Sequence, residues 1–203
     1  MTDLASLLGP IDIYLLDQIL RGRIRPGMRV LDAGCGGGRN LVFFLREGYD
    51  VSGMDADPGA IRAVRSLAAG LAPHLPATSF RTETVEASSF PDGAADTVLS
   101  SAVLHFARGE GHFRAMLEGT WRLVAPNGLL FCRLASTIGL EGRFTPLGDG
   151  RFSLPDGSER FLVHERLLLD LTEEMAGTLL DPLKTTVVQA QRCMTTWVVR
   201  KGG

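Results

Sequence analysis

Hydrophobic positions along the chain fall into two alternating rhythms. Short apolar runs occupy Met28 to Ala33 (MRVLDA), Asp50 to Met54 (DVSGM), Ala95 to Ser100 and Leu129 to Leu134, and Thr78 to Val85 (TSFRTETV) alternates with period two. Between them lie longer stretches whose apolar residues recur every three or four positions, the spacing of one helix face. The first, Ile11 to Leu20 (IDIYLLDQIL), predicts an N-terminal helix within about residues 10–24, stopped by Arg25-Pro26-Gly27. Asn40 to Glu47 (NLVFFLRE) predicts a second, ended by Gly48. A third spans Pro58 to Leu71, with Asp57 to cap it and proline at its first position. Gly111 to Val124 is a fourth, broken by Ala125-Pro126-Asn127-Gly128. Strands alternating with helices in this way predict βαβ units and a parallel sheet.

Beyond Ser136 the pattern changes. A Gly-rich, Arg-bearing segment runs into RFSLPDGSERFLV, a predicted hairpin about Pro155-Asp156-Gly157, so residues 137–163 read as a lid or insertion over one end of the sheet. His164 to Met175 predicts a further helix. Leu183 to Gln189 and Cys193 to Arg200 are β-branched runs joined tightly enough to pair antiparallel. There is no internal repeat or low-complexity tract, and 203 residues at 45% hydrophobic content suffice for one core. One domain over residues 1–203 is expected.

Charge and cysteine usage narrow the classes. A net charge of -2 and a sequence pI of about 6.1 leave no basic footprint for a polyanion, so nucleic acid is disfavoured as a partner. The opening MTDLASLLGPIDIYLLDQ carries acids where a signal peptide has a basic region, and no apolar run reaches the length of a membrane span; a soluble, cytoplasmic protein is expected. Cys35, Cys132 and Cys193 show no Cys-x-x-Cys spacing, so neither a disulfide framework nor a metal site is expected.

The candidate chemistry lies in VLDAGCGGGRN, residues 30 to 40, with glycines at 34, 36, 37 and 38. A phosphate loop of the Walker type needs Gly-Lys followed by Ser or Thr, whereas the chain has Gly38-Arg39-Asn40. A dinucleotide fingerprint counted from Gly34 needs its third glycine at 39, where Arg39 stands. Cys35 has no basic partner nearby in sequence, which argues against a catalytic thiol.

VLDAGCGGG resembles the first motif of the class I S-adenosylmethionine-dependent methyltransferases, a strand ending in Asp-x-Gly-x-Gly-x-Gly. The resemblance continues in order. VSGMD (51–55) is similar to the second motif, Val85-Glu86-Ala87 falls where the family has an acid near the adenine, and FPDGAADTVLSSAVLHF and WRLVAPNGLLF resemble the motifs around the fourth and fifth strands. The resemblance implies a doubly wound, mostly parallel seven-stranded Rossmann-like α/β sheet with one antiparallel strand near the C-terminus. It implies a cofactor, S-adenosyl-L-methionine, leaving as S-adenosyl-L-homocysteine. Cofactor contacts are then expected at Asp32, Gly34, Cys35, Gly36, Arg39, Asp55, Ala56, Glu86, Ala87 and Ser100, with Asp55 on the ribose because a carboxylate offers a diol only acceptors. Each has an ordinary alternative: Asp32 and Asp55 as loop caps, Glu86 as a solvated strand end, the glycines as a turn alone.

For the acceptor, a small molecule is expected. The candidates are Arg39, His105, Arg133 and His164, with Glu165 beside it. His105 follows the fourth strand and reads as a base, a substrate contact or a packed histidine. Arg39 reads as a carboxylate ligand or a surface ion pair. Arg133, Arg143, Arg151, Arg160 and Arg192 gather in the half of the chain expected to build the acceptor pocket; two facing inward would mean an anionic acceptor, because arginine presents a rigid donor fork. Residues 30 to 61 also resemble the bacterial tellurite-resistance methyltransferases, whose acceptors are soft oxyanions such as tellurite and selenite. The Asp/Asn-Pro-Pro-aromatic motif of amino-methylating enzymes is absent, the fourth strand ending in Ser100-Ser101-Ala102-Val103. An NAD-dependent oxidoreductase and a non-catalytic binding domain are the remaining alternatives.

Overall fold

The structure is a computed structural model describing residues 3–203. Met1 and Thr2, part of the predicted domain, lie outside the described residues. The chain opens with α1 (Leu4–Leu8), which the apolar pattern did not suggest, and α2 (Ile13–Leu20). Asp12 caps α2 by accepting from the Tyr14 N–H at 2.9 Å, so this helix starts two residues later than its periodicity suggests.

Next come β1 (Arg29–Ala33), α3 (Val42–Arg46), β2 (Asp50–Asp55), α4 (Pro58–Leu71) and β3 (Phe80–Thr82), followed by β4 (Ala95–Ser101), α5 (Glu110–Arg122) and β5 (Val124–Ala135). The strand predicted over Thr78 to Val85 keeps only three residues. Single 3-10 turns at Ala77–Ser79 and Val85–Ala87 flank it, the second carrying the chain out of the ladder beyond Glu83, whose N–H still donates to the Asp55 carbonyl at 3.1 Å. The predicted break at Ala125 to Gly128 is a bulge inside β5, where Asn127 adopts φ 60°.

The rest comprises β6 (Thr145–Gly148), β7 (Arg151–Ser153), β8 (Glu159–Phe161), α6 (Glu165–Glu174), β9 (Gly177–Leu179), β10 (Lys184–Val188) and β11 (Arg192–Lys201). The predicted hairpin is β7 and β8. It gains a third antiparallel strand, β6, to form a small separate sheet.

The main sheet runs β10-β11-β5-β4-β1-β2-β3. β3, β2, β1, β4 and β5 pair in parallel, β11 is antiparallel to β5, and β10 is antiparallel to β11. Six strands of this path therefore point one way and β11 alone points back, as expected. Short β9 prolongs the β10 edge along β11; Pro182, lacking an N–H, stands in the gap between them.

Successive residues in each strand bury opposite ways, which builds two apolar layers. Leu31, Val98, Leu130 and Trp197 pack under α5 and α6 through Phe113, Leu117, Leu168 and Leu171. Their neighbours Val30, Leu99, Phe131 and Val198 pack under α2, α3 and α4 through Leu15, Phe44, Ile61 and Val64. Because β1, β2 and β4 end together, their carboxyl ends leave a crevice where the strand order reverses. No helix among the described residues is long and apolar enough to cross a membrane.

Candidate active site

Three cavities meet at that crevice. The first, about 440 Å³, lies over the glycine turn and is lined by Asp32, Gly34, Gly36, Arg39 and Ser101, among others. The turn after β1 folds back because the Gly34 and Cys35 N–H groups both donate to the Met54 carbonyl of β2, at 2.8 and 2.9 Å. Gly34 has φ 92°, and a Cβ there would drive into the Val103 side chain. Gly38 (φ 86°) lies so close to α4 that a Cβ would meet methyl groups of Val64 and Leu67 at 2.8 Å.

Asp32 is the unusual group here. It is 2% exposed, and its Oδ1 is buried without a hydrogen-bond partner. Burial, then the Asp55 charge, push its carboxyl up to about 7, with Arg39 pulling the other way. A buried carboxylate left open on a cavity wall is a socket for a cation. Cys35, beside it, is an inert wall: burial, then the charges of Asp32 and Asp55, push its thiol up.

The second cavity, about 300 Å³, is lined by Asp55, Ala56, Glu83, Thr84, Glu86, Val103, Phe106 and Met116, among others. Asp55 orders its corner by accepting from the Gly36 and Asp57 N–H groups, each at 2.9 Å. His112 Nδ1 accepts from the Arg108 N–H at 3.1 Å, so Nε2 carries the proton in the neutral ring and donates to Glu86 Oε1 at 3.1 Å. The wall is mainly apolar with three carboxylates, Asp55, Glu83 and Glu86, and suits a flat ring with exocyclic donors and a sugar diol.

The third cavity, about 420 Å³, opens between β4, β5, β11 and the loop joining β7 to β8. Arg39, Arg133, Arg160 and Arg192 line it with His105, Asp156 and a mainly apolar remainder. Arg39 also borders the first cavity, and Ala102 and Phe106 the second. Ala102, at φ 63°, holds a left-handed conformation at that junction, pinned by its N–H to the Arg133 carbonyl at 2.8 Å.

Comparison with known proteins places the chain. The family described as "Methyltransferase domain" matches residues 30–128. Those residues, just under half of the chain, are thus similar to a methyltransferase domain. Among relatives, an uncharacterized methyltransferase of Synechocystis sp. is 29% identical over 106 residues, 52% of this chain and 46% of that protein. A ubiquinone biosynthesis O-methyltransferase of Chelativorans sp. is 29% identical over 173 residues, covering 77% and 64% respectively. The chain thus spans less than two thirds of the length of either. A SAM-dependent methyltransferase of Methanosarcina mazei superposes with TM-score 0.73 at 20% identity, covering 91% of this chain and 97% of that one, a likeness of fold.

Within the structure the predicted residues separate. Asp32, Gly34, Cys35, Gly36 and Arg39 line the first cavity; Asp55, Ala56 and Glu86 line the second. Ser100 is fully buried inside the sheet, and its successor Ser101 is the one at the cavity. Ala87 closes its 3-10 turn on the Thr84 carbonyl and is not among the lining residues. His105 and Arg133 line the third cavity, whereas the exposed His164 caps α6, its Nδ1 accepting from Leu167 N–H at 3.1 Å, with Glu165 next to it. Arg143 is exposed, and Arg151 pairs with Glu159 at 2.7 Å.

Asp12 carried no local signal. Asp12, 1% exposed at its side chain, forms an ion pair with Arg133, and its N–H donates to Asn40 Oδ1 at 3.0 Å. His105 is 5% exposed; its Nδ1 accepts from the Ala135 N–H at 3.1 Å. Burial, then the Arg160 charge, lower that imidazole to about 4, so it is neutral at pH 7 with its proton on Nε2.

Proposed function

We propose that the protein transfers a methyl group from S-adenosyl-L-methionine to an anionic small molecule bound in the third cavity. The observation that carries this is the unpartnered Oδ1 of Asp32, a residue lining the first cavity. A cofactor with a positively charged amino-acid end fits that socket, whereas a dinucleotide would bring pyrophosphate toward a buried carboxylate and find Arg39 at the third-glycine position. Asp32 and the turn from Gly34 to Gly36 would hold the amino-acid end, Asp55 the ribose, and Glu86 the adenine side. When bound, the cofactor supplies an electrophilic methyl with a neutral leaving group, so the chain's task is to align an acceptor and keep water out.

The four arginines around the third cavity support an anion there, either a soft oxyanion such as tellurite or selenite, or a carboxylate-bearing molecule. The tellurite-type likeness covers residues 30 to 61, which build the cofactor side; it does not reach the walls that choose between these acceptors. The β6-β7-β8 sheet acts as a lid, since Leu154, Asp156, Ser158 and Arg160 reach the cavity from it or its loop.

Calorimetry with S-adenosylhomocysteine tests the reading: saturable binding is expected, and no heat at millimolar ligand removes it. Asp55→Ala should weaken that binding by about 1.5 to 3 kcal/mol for each hydrogen bond lost to the charged group. Unchanged affinity in a folded variant takes Asp55 out of the site.

A further inference from the structure

The chemistry of the third cavity goes further than its charge. Building on the proposed methyl transfer, we infer that the acceptor is an amphipathic acid methylated on an atom that is already ionised when it arrives, with no protein group accepting a proton.

The inventory of possible bases is short, and each is occupied. His105 has its Nδ1 lone pair on the Ala135 N–H, which leaves Nε2 protonated: a hydrogen-bond donor. Asp156 accepts from the Ser158 hydroxyl at 2.6 Å and the Ser158 N–H at 3.0 Å, with the charges of Arg192 and Arg160 adding to hold it below the usual carboxylate range. A carboxylate that weak a base does not deprotonate an alcohol or an ammonium. Cys193 is 1% exposed and donates its thiol proton to the Ser136 carbonyl at 2.8 Å. The unsatisfied Asp32 lies in the first cavity, not this one.

Against this, the cavity is rich in fixed cations. Arg133 is matched by Asp12. Arg39, Arg160 and Arg192 form no salt bridge among the described residues, and Asp156 is the one carboxylate lining the cavity with them. The rim supplies the other half of the ligand's description. Phe106 is 58% exposed and Val188 39% exposed, with Met194 and Leu154 beyond them. The Arg160 guanidinium stands 4.7 Å from the Phe106 ring centroid, so a cation and an apolar face are presented together. An acid with an aliphatic or aromatic body meets both.

Such a transfer balances without a proton. A lone pair of the acceptor oxyanion forms the bond to the methyl carbon, the carbon–sulfur bond breaks with its electrons going to sulfur, and one anion plus one cation become a neutral ester and a neutral thioether. The His105 Nε2–H and the arginines hold the acceptor's second oxygen.

The test uses the full chain loaded with S-adenosylhomocysteine and titrated with octanoate and benzoate, then with the matching amides and alcohols. The acids are expected to bind at least tenfold more tightly than their amides, a preference that Arg160→Gln/Arg192→Gln removes. Equal affinity, or no binding of either acid at millimolar concentration, overturns the inference. With saturating S-adenosylmethionine, turnover of an acid should be independent of pH between 6 and 9, and His105→Gln should lower the rate while keeping that flat profile. Turnover of an alcohol or amine in preference, or a rate rising tenfold per pH unit in the wild type and lost in His105→Gln, overturns it as well. Failure to bind S-adenosylhomocysteine in the first place sinks the methyl-transfer reading instead, so the two failures are distinguishable.

Discussion

Asp32→Asn is expected to bind S-adenosylhomocysteine about a hundredfold more weakly than the wild type, roughly 2.7 kcal/mol, yet to melt at a higher temperature without ligand at pH 8. Both effects come from one carboxyl whose Oδ1 has no partner and which burial raises to about 7. Between pH 4 and 7 the folded chain keeps on Asp32 a proton that the unfolded chain has released, so stability falls as pH rises through that window. Above pH 7 the whole cost is present, on the order of 4 kcal/mol from a shift of about three units. The amide removes that charge; its stabilising effect should be largest at pH 8 and shrink toward pH 4, as thermal melts at the two pH values would show. A ligand ammonium compensates the same charge, so wild-type affinity should fall about tenfold per unit as pH drops below 7, because Asp32 must lose its proton to accept the cation. Calorimetry at pH 5.5 and 8 reads this directly. A pH-independent affinity, or an Asn variant that binds normally, would show that the carboxylate is not the cation's partner.

Gly34→Ala should be the most damaging small substitution in the site. The residue sits at φ 92°, and its new Cβ would overlap the Val103 side chain. The backbone term costs about 1 to 3 kcal/mol, and forced repacking about as much again. Loss of S-adenosylhomocysteine binding together with a Tm lower by several degrees is expected. Adding Val103→Ala should recover part of the Tm, since it removes the overlap but not the strained φ. If the double variant melts no higher than the single one, the steric part of this account fails.

How much of this could be read beforehand follows the range of the interactions involved. The glycine turn, the two acids and the strand-helix alternation were legible because each is written in residues a few positions apart. Ser100 is expected at the cofactor but Ser101 is the one at the cavity, because the face a strand presents at its end is set by the sheet around it. The Asp12 to Arg133 ion pair joins residues 121 positions apart, and no periodicity announces it. β3 is shorter than the period-two reading of Thr78 to Val85 suggests; the chain leaves the ladder beyond Glu83, whose carboxylate accepts from the Ser89 N–H at 2.9 Å. His105 was found as a candidate by its place after β4, but its proton donor character depends on the Ala135 N–H, which only tertiary structure brings to it.

Arg39 belongs to the border between the first and third cavities, a single guanidinium facing two neighbouring ligand spaces. On the proposed reading, a cation shared in this way couples the two occupants. By whatever factor the ligand of one space changes affinity in the other, the reverse effect must be equal. On the proposed reading the two ligands bind as a linked pair, and the affinity for either is to be measured at a stated concentration of the other.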